Sequence, residues 1–268
     1  MSNHAERAAN LLALHKADTP LLLPNPWDAG SAKLLASLGF EALATTSSGF
    51  AATLGRLDGS VTRDEAIAHA ADIVAATDLP VSADLENGFA DDAAGVAETI
   101  RLALGAGLAG CSVEDWSGDA IYEREHAAER VAAAAEAAHG GEVHLVLTAR
   151  AENHIHGRDD LADTIARLQS FQEAGADVLY APGLRELDDI RRVVSSVDLP
   201  VNVLAVPGAP SVAELAAAGV SRISVGGGFA YVAMGALVAA ARELREQGTY
   251  RFWETAGVGA KVWRDAFR

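Results

Sequence analysis

The sequence predicts an α/β fold, a (β/α)8 TIM barrel followed by a C-terminal helical extension. Short apolar stretches alternate along the chain with Ala-rich helical stretches, which is the order expected of a parallel α/β fold. The apolar stretches are nearly continuous, as in strands buried on both faces, and there are eight of them. Eight strand and helix units fit closure into a barrel. An open doubly wound sheet is the alternative.

The eight strands are expected in order along the chain, after an amphipathic segment over residues 4–16. They are "LLLPNPW" from Leu21, "ALATT" from Ala42, "VSADLE" from Val81, "CSVED" from Cys111, "VHLVLTAR" from Val143, "DVLYAP" from Asp177, "VNVLAV" from Val201 and "RISVGG" from Arg222. Capping-box patterns at Thr62 and Ser211 predict the starts of two helices between them. Several helices are expected to end at a glycine just before the next strand, namely Gly39, Gly107, Gly175 and Gly219.

The chain is interpreted as one barrel domain over residues 1–250, including the N-terminal helix, with a helical tail over residues 251–268. The tail is rich in aromatic side chains, which are typical of an interface, although packing back onto its own barrel is the alternative. These are Phe252, Trp253, Trp263 and Phe267. The apolar run Phe229 to Ala241 suits a buried helix and is too short to cross a bilayer.

The charge balance excludes two classes of partner. A formal net charge of −16 would repel nucleic acid and anionic membrane surfaces. A small acidic substrate is still compatible, because a bound divalent cation can reverse the potential inside a pocket. The single cysteine, Cys111, can form no internal disulfide and excludes a Cys-rich zinc site. Together with the lack of a recognisable signal peptide, this predicts a cytoplasmic protein.

Carboxylates follow several of the predicted strands at their carboxyl ends, where barrel enzymes place their active sites. Asp84 and Glu86 end the third strand, Glu114 ends the fourth, and Asp58 follows the second. Several acids at one mouth cannot all stay ionised without a cation between them. Oxygen ligands alone favour Mg²⁺, with Mn²⁺ also possible, over Zn²⁺. For any single acid, an ion pair or a helix cap is the alternative interpretation.

These residues resemble the isocitrate lyase and phosphoenolpyruvate mutase superfamily, in particular its 2-methylisocitrate lyase-like and phosphonomutase-like members. The likeness covers nearly the whole chain, in motifs that come in the expected order. They are "NPWDAGSA" from Asn25, "SADLENG" from Ser82, "SVEDW" from Ser112, "LTARAENH" from Leu147, "PVNVLA" from Pro200 and "SVGGG" from Ser224.

The resemblance implies a role for each matching residue. Asp84 and Glu86 would hold Mg²⁺ largely through water, Glu114 would be the third carboxylate of the metal site, and Asp58 would lie near the metal. Arg150 would grip the substrate. Further substrate contacts would come from Trp27, Thr45, Thr46, Ser47 and Asn202. His154, of the pair His154 and His156, is the preferred histidine for acid–base catalysis, with loop hydrogen bonding as the alternative.

One loop departs from the lyases of the superfamily, which carry a Lys-x-Cys-Gly-His pattern after the fourth strand. Here the loop from Trp116 to Ala127 reads "WSGDAIYEREHA", with neither Cys nor Lys. The candidates in it for proton transfer are Tyr122, Glu123, Glu125 and His126, and each also fits a solvated helix position. Cys111 cannot take over, because strand alternation points it away from the face of Glu114.

The expected function is therefore a Mg²⁺-dependent enzyme that cleaves or rearranges a C–C or P–C bond of a small 2-oxo acid or malate-type dicarboxylate through an enolate. The alternatives are a phosphoenolpyruvate mutase or phosphonopyruvate hydrolase activity, a non-catalytic 2-oxo acid binding barrel, and a metal-free enzyme that grips phosphate at Gly226 to Gly228. The resemblance also implies a homodimer or homotetramer, in which the last helices are exchanged between barrels.

Overall fold

The computed structural model describes residues 3–268, and within them eight parallel strands form one sheet. The strands are β1 (Leu21–Leu23), β2 (Leu43–Ala44), β3 (Val81–Asp84), β4 (Gly110–Glu114), β5 (Val146–Arg150), β6 (Val178–Tyr180), β7 (Val201–Leu204) and β8 (Arg222–Ser224). Their order in the sheet is β1-β8-β7-β6-β5-β4-β3-β2, so that the strands from β2 to β8 pair with their neighbours in sequence and β1 pairs with β8. The predicted strands are confirmed; β4 is shifted by one residue and the others are shorter than predicted.

Eleven helices alternate with these strands over residues 3–268. They are α1 (His4–Leu14), α2 (Ala29–Ser37), α3 (Ser47–Thr53), α4 (Arg63–Ala75), α5 (Ala93–Gly105), α6 (Arg124–His139), α7 (Leu161–Glu173), α8 (Leu187–Ser195), α9 (Val212–Ala217), α10 (Gly228–Gln247) and α11 (Phe252–Ala266). The capping boxes predicted at Thr62 and Ser211 are formed, with Glu65 and Glu214 as the reciprocal partners. The four predicted terminal glycines all have positive φ.

The gap between β1 and β2 is bridged just beyond β1. The Ala44 N–H donates to the Pro24 carbonyl at 3.0 Å. The buried Asn25 amide donates to the Thr45 carbonyl, and its Oδ1 accepts from the N–H groups of Val225 and Gly226 at 2.9 Å. One side chain therefore ties together the ends of β1, β2 and β8. The sheet is a nearly closed (β/α)8 barrel, as predicted.

Helix α1 packs across the amino ends of the strands. Its buried Ala8 and Leu11 share an apolar cluster with Leu21, Val146 and Val178 at the starts of β1, β5 and β6. The residue after α1, His15, is also buried and lies inside this end of the barrel. Its Nδ1 lies 2.7 Å from the Leu11 carbonyl, and burial lowers its pKa to about 3.

His15 gives the fold a sensitivity to acid. The unfolded chain takes up a proton on His15 near pH 6.5, whereas the folded chain does so only near pH 3, so stability falls as the pH drops between these values. We expect the wild type to lose about 1.4 kcal/mol of unfolding free energy more per pH unit than His15→Gln between pH 6 and 4. Urea titrations at several pH values measure this, and parallel curves for the two proteins would contradict it.

The helices α10 and α11 lie largely exposed, which corrects one prediction. The apolar run Phe229 to Ala241 forms most of α10, yet Ala230 is the only buried residue of that helix. No residue of α11 is buried, although Phe267 at its end approaches Gly30 of α2. The apolar side chains of α10 and α11 therefore form a surface that this chain does not cover. Within the described residues, no helix combines the length and apolarity needed to cross a membrane.

Candidate active site

Three charged side chains end neighbouring strands at the carboxyl end of the barrel. Asp84 is the last residue of β3, Glu114 of β4 and Arg150 of β5, and Glu114 and Arg150 are opposed in register. The Glu114 N–H donates to the Glu86 carbonyl at 2.9 Å, which places Glu86 beside Glu114. Glu86 has a φ of 47°, a left-handed conformation that costs a non-glycine residue energy and is concentrated at functional sites.

Arg150 lies at the centre of this group and contacts three carboxylates. Its Nη1 donates to Asp84 Oδ1 at 2.8 Å, and its Nε donates to Glu152 Oε1 at 2.8 Å. Its Nη2 lies 3.0 Å from Glu114 Oε2. All four side chains are mostly buried, with the Glu152 side chain 4% exposed. We call Asp84, Glu86, Glu114, Arg150 and Glu152 the acidic cluster.

The acidic cluster contains more negative charge than Arg150 can balance. Burial raises the pKa of Glu114 well above its usual value, against the opposing effect of Arg150. Burial, followed by the charges of Asp84 and Asp58, raises the pKa of Glu86 to about 7. These carboxyl groups therefore bind protons more readily than exposed carboxylates do. A cation bound among them would lower both pKa values and displace those protons.

The four carboxylates of the acidic cluster fit a hydrated Mg²⁺ or Mn²⁺ ion. Their metal-ligating atoms are all oxygens, the ligands that hard divalent cations prefer. Over residues 3–268, however, the oxygens of Asp84, Glu86 and Glu114 do not all lie within 4.8 Å of one another. Contacts through water tolerate this spacing, because Mg²⁺ usually keeps several of its waters.

In residues 3–268 the one triplet of potential ligands with such close spacing is His139, His144 and Asp177, at the opposite end of the barrel. There each histidine Nε2 lies within 3.0 Å of a different oxygen of Asp177. The two imidazole rings are stacked at 4.0 Å and nearly parallel, so their nitrogens point at the carboxylate rather than at a common centre. This group joins the end of α6 to the starts of β5 and β6.

A cavity of about 370 Å³ opens beside the acidic cluster and extends into the barrel. Thr45, Thr46 and Ser47, which follow β2, line it together with Asp58, Asp84 and Arg150. The Ser47 N–H donates to Asp84 Oδ2 at 3.2 Å, and Thr45 Oγ1 accepts from the Asp84 N–H at 2.9 Å. The turn therefore holds Asp84 in place. Asp58 lies exposed in the loop between α3 and α4, at the rim.

The other residues expected at the site lie further from it. Asn202 is buried beneath the cavity wall, where it contacts Ser224 and Arg222. Trp27 and His154 are not among the residues that line the cavity. Their roles in substrate binding and catalysis stay predictions. His156 lines a neighbouring part of the mouth, with its ring stacked on Trp116 at 3.7 Å and its Nε2 3.9 Å from Glu152 Oε2.

The loop after β4 is short and closed on itself. Trp116 and Ile121 form an isolated bridge, and the Tyr122 hydroxyl donates to Asp91, away from the acidic cluster. Glu125 and His126 lie in the first turn of α6, with Glu125 exposed and His126 half-buried, and both contact groups outside the acidic cluster. Cys111 is fully buried in the apolar core between strands and helices, as predicted.

Two residues of the site were not anticipated from the sequence. Tyr180 ends β6 opposite Arg150. The Arg150 guanidinium lies 5.3 Å from the centre of the Tyr180 ring. Arg222 begins β8, is buried, and lines the inner part of the cavity. A charged residue inside the otherwise apolar stretch "RISVGG" was the available signal for Arg222.

Comparison with known proteins agrees with the barrel fold. The family model for phosphoenolpyruvate phosphomutase matches residues 11–245. A structure from Burkholderia cenocepacia, described as a candidate lyase or mutase, shares 51% identity and a TM-score of 0.94 over 97% of this chain and 95% of its own. The 2-methylisocitrate lyase of Escherichia coli is 30% identical over 213 residues, 75% of this chain and 70% of its own length. A 2,3-dimethylmalate lyase structure covers 99% of both chains, with 25% identity and a TM-score of 0.83.

The fold and these relatives define an enzyme of the lyase and mutase type. The chain belongs to the phosphoenolpyruvate phosphomutase family, within the phosphoenolpyruvate mutase and isocitrate lyase superfamily. The resemblance drawn from the sequence motifs is confirmed.

Proposed function

We propose that this chain is a Mg²⁺-dependent enzyme that cleaves a C–C bond of a small 2-oxo acid or malate-type dicarboxylate through an enolate. The observation that carries the proposal is the acidic cluster, buried at the carboxyl ends of β3 to β5 beside a cavity of about 370 Å³. A pocket of this size suits a small organic acid. The names of the relatives, 2-methylisocitrate lyase and 2,3-dimethylmalate lyase, describe bond cleavage in substrates of this class.

In this mechanism Asp84, Glu86 and Glu114 would hold the hydrated ion. When bound, the ion supplies a positive charge that stabilises the enolate oxygen as the bond breaks. The protein contributes the rest of the environment. Asp84 is fixed by the Ser47 N–H and by Arg150, so the ligand oxygens are oriented before the substrate arrives.

Arg150 has a second role in this proposal. It balances the acidic cluster, and once a cation shares that task its guanidinium can turn toward an oxyanion of the substrate. The hydroxyl-rich turn from Thr45 to Ser47 provides further donors on the same wall of the cavity. For proton transfer, the position of His156 at the mouth makes it a stronger candidate than His154.

The proposal is tested by measuring turnover of a panel of candidate substrates. The purified protein is incubated with Mg²⁺ and each of oxaloacetate, 2-methylisocitrate, 2,3-dimethylmalate and citramalate, and products are followed by proton NMR. We expect at least one of these to be cleaved with release of a 2-oxo acid. EDTA should lower the rate by about 100-fold or more, and added Mg²⁺ or Mn²⁺ should restore it. Activity that persists in EDTA would contradict the proposal and would favour a metal-free use of Gly226 to Gly228.

A second candidate reaction is cleavage or migration at a P–C bond. It is supported by the family model, which describes phosphoenolpyruvate phosphomutases and matches most of the chain. The loop from Trp116 to Ala127 does not decide between the two candidates, because it has neither the cysteine of the lyase pattern nor a lysine. Phosphorus NMR of phosphonopyruvate and phosphoenolpyruvate incubated with the protein and Mg²⁺ distinguishes the two, and any phosphonate turnover faster than C–C cleavage would favour this candidate.

We further propose that the chain works as a cytoplasmic homodimer or homotetramer whose interface includes α10 and α11. Support comes from the apolar side chains that this chain leaves uncovered there, among them Val232 and Leu237, which are 71% and 69% exposed. Uncovered apolar surfaces of this kind are typical of association sites.

The oligomer leads to a prediction. Val232→Asp combined with Leu237→Asp should shift the protein to a monomer, because two charges would be buried without partners in the interface. Light scattering coupled to size-exclusion chromatography measures the mass. Val212→Asp, at an exposed position at the start of α9, is the control and should leave the mass unchanged. A wild type that is monomeric at micromolar concentration would contradict this.

A further inference from the structure

The cavity contains two guanidinium groups that differ in how their charge is balanced. Arg150 and Arg222 are the two Lys or Arg side chains among its lining residues. The Arg150 nitrogens contact three carboxylates at 2.8 to 3.0 Å. Within residues 3–268, Arg222 forms no ion pair with a carboxylate. Arg222 is therefore the cation of the cavity whose charge is not balanced by the protein.

The contacts of Arg222 are all to neutral groups. Its Nε donates to Asn202 Oδ1 at 2.9 Å, and its Nη1 donates to Thr148 Oγ1 at 3.0 Å and lies 3.4 Å from His15 Nε2. His15 stays neutral at physiological pH because burial lowers its pKa. These contacts use Nε and Nη1, and among the described residues they leave Nη2 without a bonded partner.

Arg130 provides a comparison. It is also buried and lacks a carboxylate partner among the described residues, but its guanidinium is surrounded by protein groups. Its guanidinium donates to the backbone carbonyls of Glu114, Asn87 and Ala90 and lies 4.2 Å from the centre of the Tyr122 ring. Arg130 lines neither the cavity beside the acidic cluster nor the neighbouring part of the mouth that contains His156. Arg222, in contrast, faces open space at a wall that also contains Ser82, Ser112 and Ser224.

A buried guanidinium without a counter-charge is costly to a fold. Burial lowers the pKa of Arg222 only to about 10, so the group stays charged at neutral pH. Its charge can be balanced from the cavity, by an anion that enters between the serine hydroxyls and the guanidinium. Asp84 and Arg150 of the acidic cluster line the same cavity, so a single small molecule can reach both Arg222 and the edge of the acidic cluster.

We propose that Arg222 binds a second anionic group of the substrate, so that the substrate is a dianion with one end at the acidic cluster and the other inside the barrel. This rests on the proposed function and narrows it to dicarboxylates, or to carboxylates that carry a phosphonate. Arg150, to which the sequence motifs assign the grip on the substrate, is then not the sole anchor for an oxyanion. The hydroxyls of Ser112 and Ser224 would complete the site.

The experiment measures ligand affinity by calorimetry in excess Mg²⁺, for wild type, Arg222→Met and Arg222→Lys. The probes are oxalate as the shortest dicarboxylate, pyruvate as a monoanion, 2-oxoglutarate and malate as longer dicarboxylates, and phosphonopyruvate. The last probe distinguishes a phosphonate from a carboxylate as the second group.

We expect wild type to bind at least one of 2-oxoglutarate, malate and phosphonopyruvate more tightly than pyruvate, and Arg222→Met to lose about 30-fold or more of that affinity. The affinity for oxalate should differ by no more than about twofold between wild type and Arg222→Met. Arg222→Lys should keep part of the preference because it keeps the charge. If Arg222→Met retains the preference for dianions, or if wild type shows none, Arg222 does not bind the substrate. If wild type fails to bind oxalate with Mg²⁺, the proposed function fails instead.

The folding of the variants is measured alongside. Arg222→Met should leave Tm unchanged or higher, because it removes a buried charge that the protein does not balance. Arg130→Met is the matched control, and it should lower Tm by about 5 °C or more because three carbonyl groups lose their donor. A fall for Arg222→Met as large as that for Arg130→Met would assign Arg222 a structural role and overturn the proposal. Arg222→Lys keeps the ligand test possible in that case.

Discussion

Asp84→Ala should lower kcat/KM by about 1,000-fold or more in whichever reaction of the panel the wild type catalyses. The substitution removes a ligand of the proposed cation and the acceptor of both the Ser47 N–H and Arg150 Nη1. Loss of a group that places the stabilising charge at a developing enolate costs about three orders of magnitude. Steady-state kinetics at saturating Mg²⁺ measures the effect, and kcat should carry most of it.

An exposed aspartate serves as the control for this prediction. Asp188 lies in the first turn of α8, at the surface, in an ion pair with Arg191. Asp188→Ala should leave kcat/KM within about twofold, because exposed ion pairs contribute little. If Asp84→Ala also retained wild-type turnover, the acidic cluster could not be the catalytic centre.

Arg150→Met should give the largest loss of stability, together with about a 100-fold loss of kcat/KM. It leaves Asp84, Glu114 and Glu152 buried without their counter-charge, and removing one partner of a buried ion pair costs about 3–5 kcal/mol. The carboxylates can escape part of this cost by binding protons. The destabilisation should therefore be large at pH 8 and smaller at pH 5.

Mg²⁺ adds a second readout to the Arg150 prediction. If the acidic cluster binds the cation, millimolar Mg²⁺ should raise the Tm of Arg150→Met more than it raises the Tm of wild type. Differential scanning fluorimetry at both pH values measures this. Arg191→Met, at an exposed position, is the control and should show neither effect. A loss of stability that does not depend on pH or Mg²⁺ would mean that Arg150 acts by packing alone.

Much of the barrel could be predicted because parallel strands leave a strong local signal. The predicted third, fourth and fifth strands finish in charged residues, and three of these, Asp84, Glu114 and Arg150, end β3, β4 and β5 in the structure. The errors in strand bounds also have local causes. The first predicted strand ran on through Pro24 and Pro26, which have no N–H for a ladder, and β1 ends at Leu23.

The predictions that failed or stayed open depend on surroundings that no short segment encodes. The run from Phe229 to Ala241 is apolar enough for a core helix, but its sequence does not say whether the covering surface belongs to the same chain. Strand alternation put Cys111 in the apolar layer, because that side chain's direction depends on its own strand. The groups that contact Arg222 come from β5, β7 and the segment after α1. Because these segments are far apart in the sequence, its lack of a carboxylate partner could be seen only in the folded chain.

The most direct test of the whole account is calorimetric titration of Mg²⁺ and of oxalate, an enolate mimic, into wild type and Asp84→Ala. The account predicts that wild type takes up Mg²⁺, that oxalate binds only when Mg²⁺ is present, and that Asp84→Ala binds neither. If wild type binds oxalate as tightly in EDTA as in Mg²⁺, the acidic cluster does not act through a bound cation.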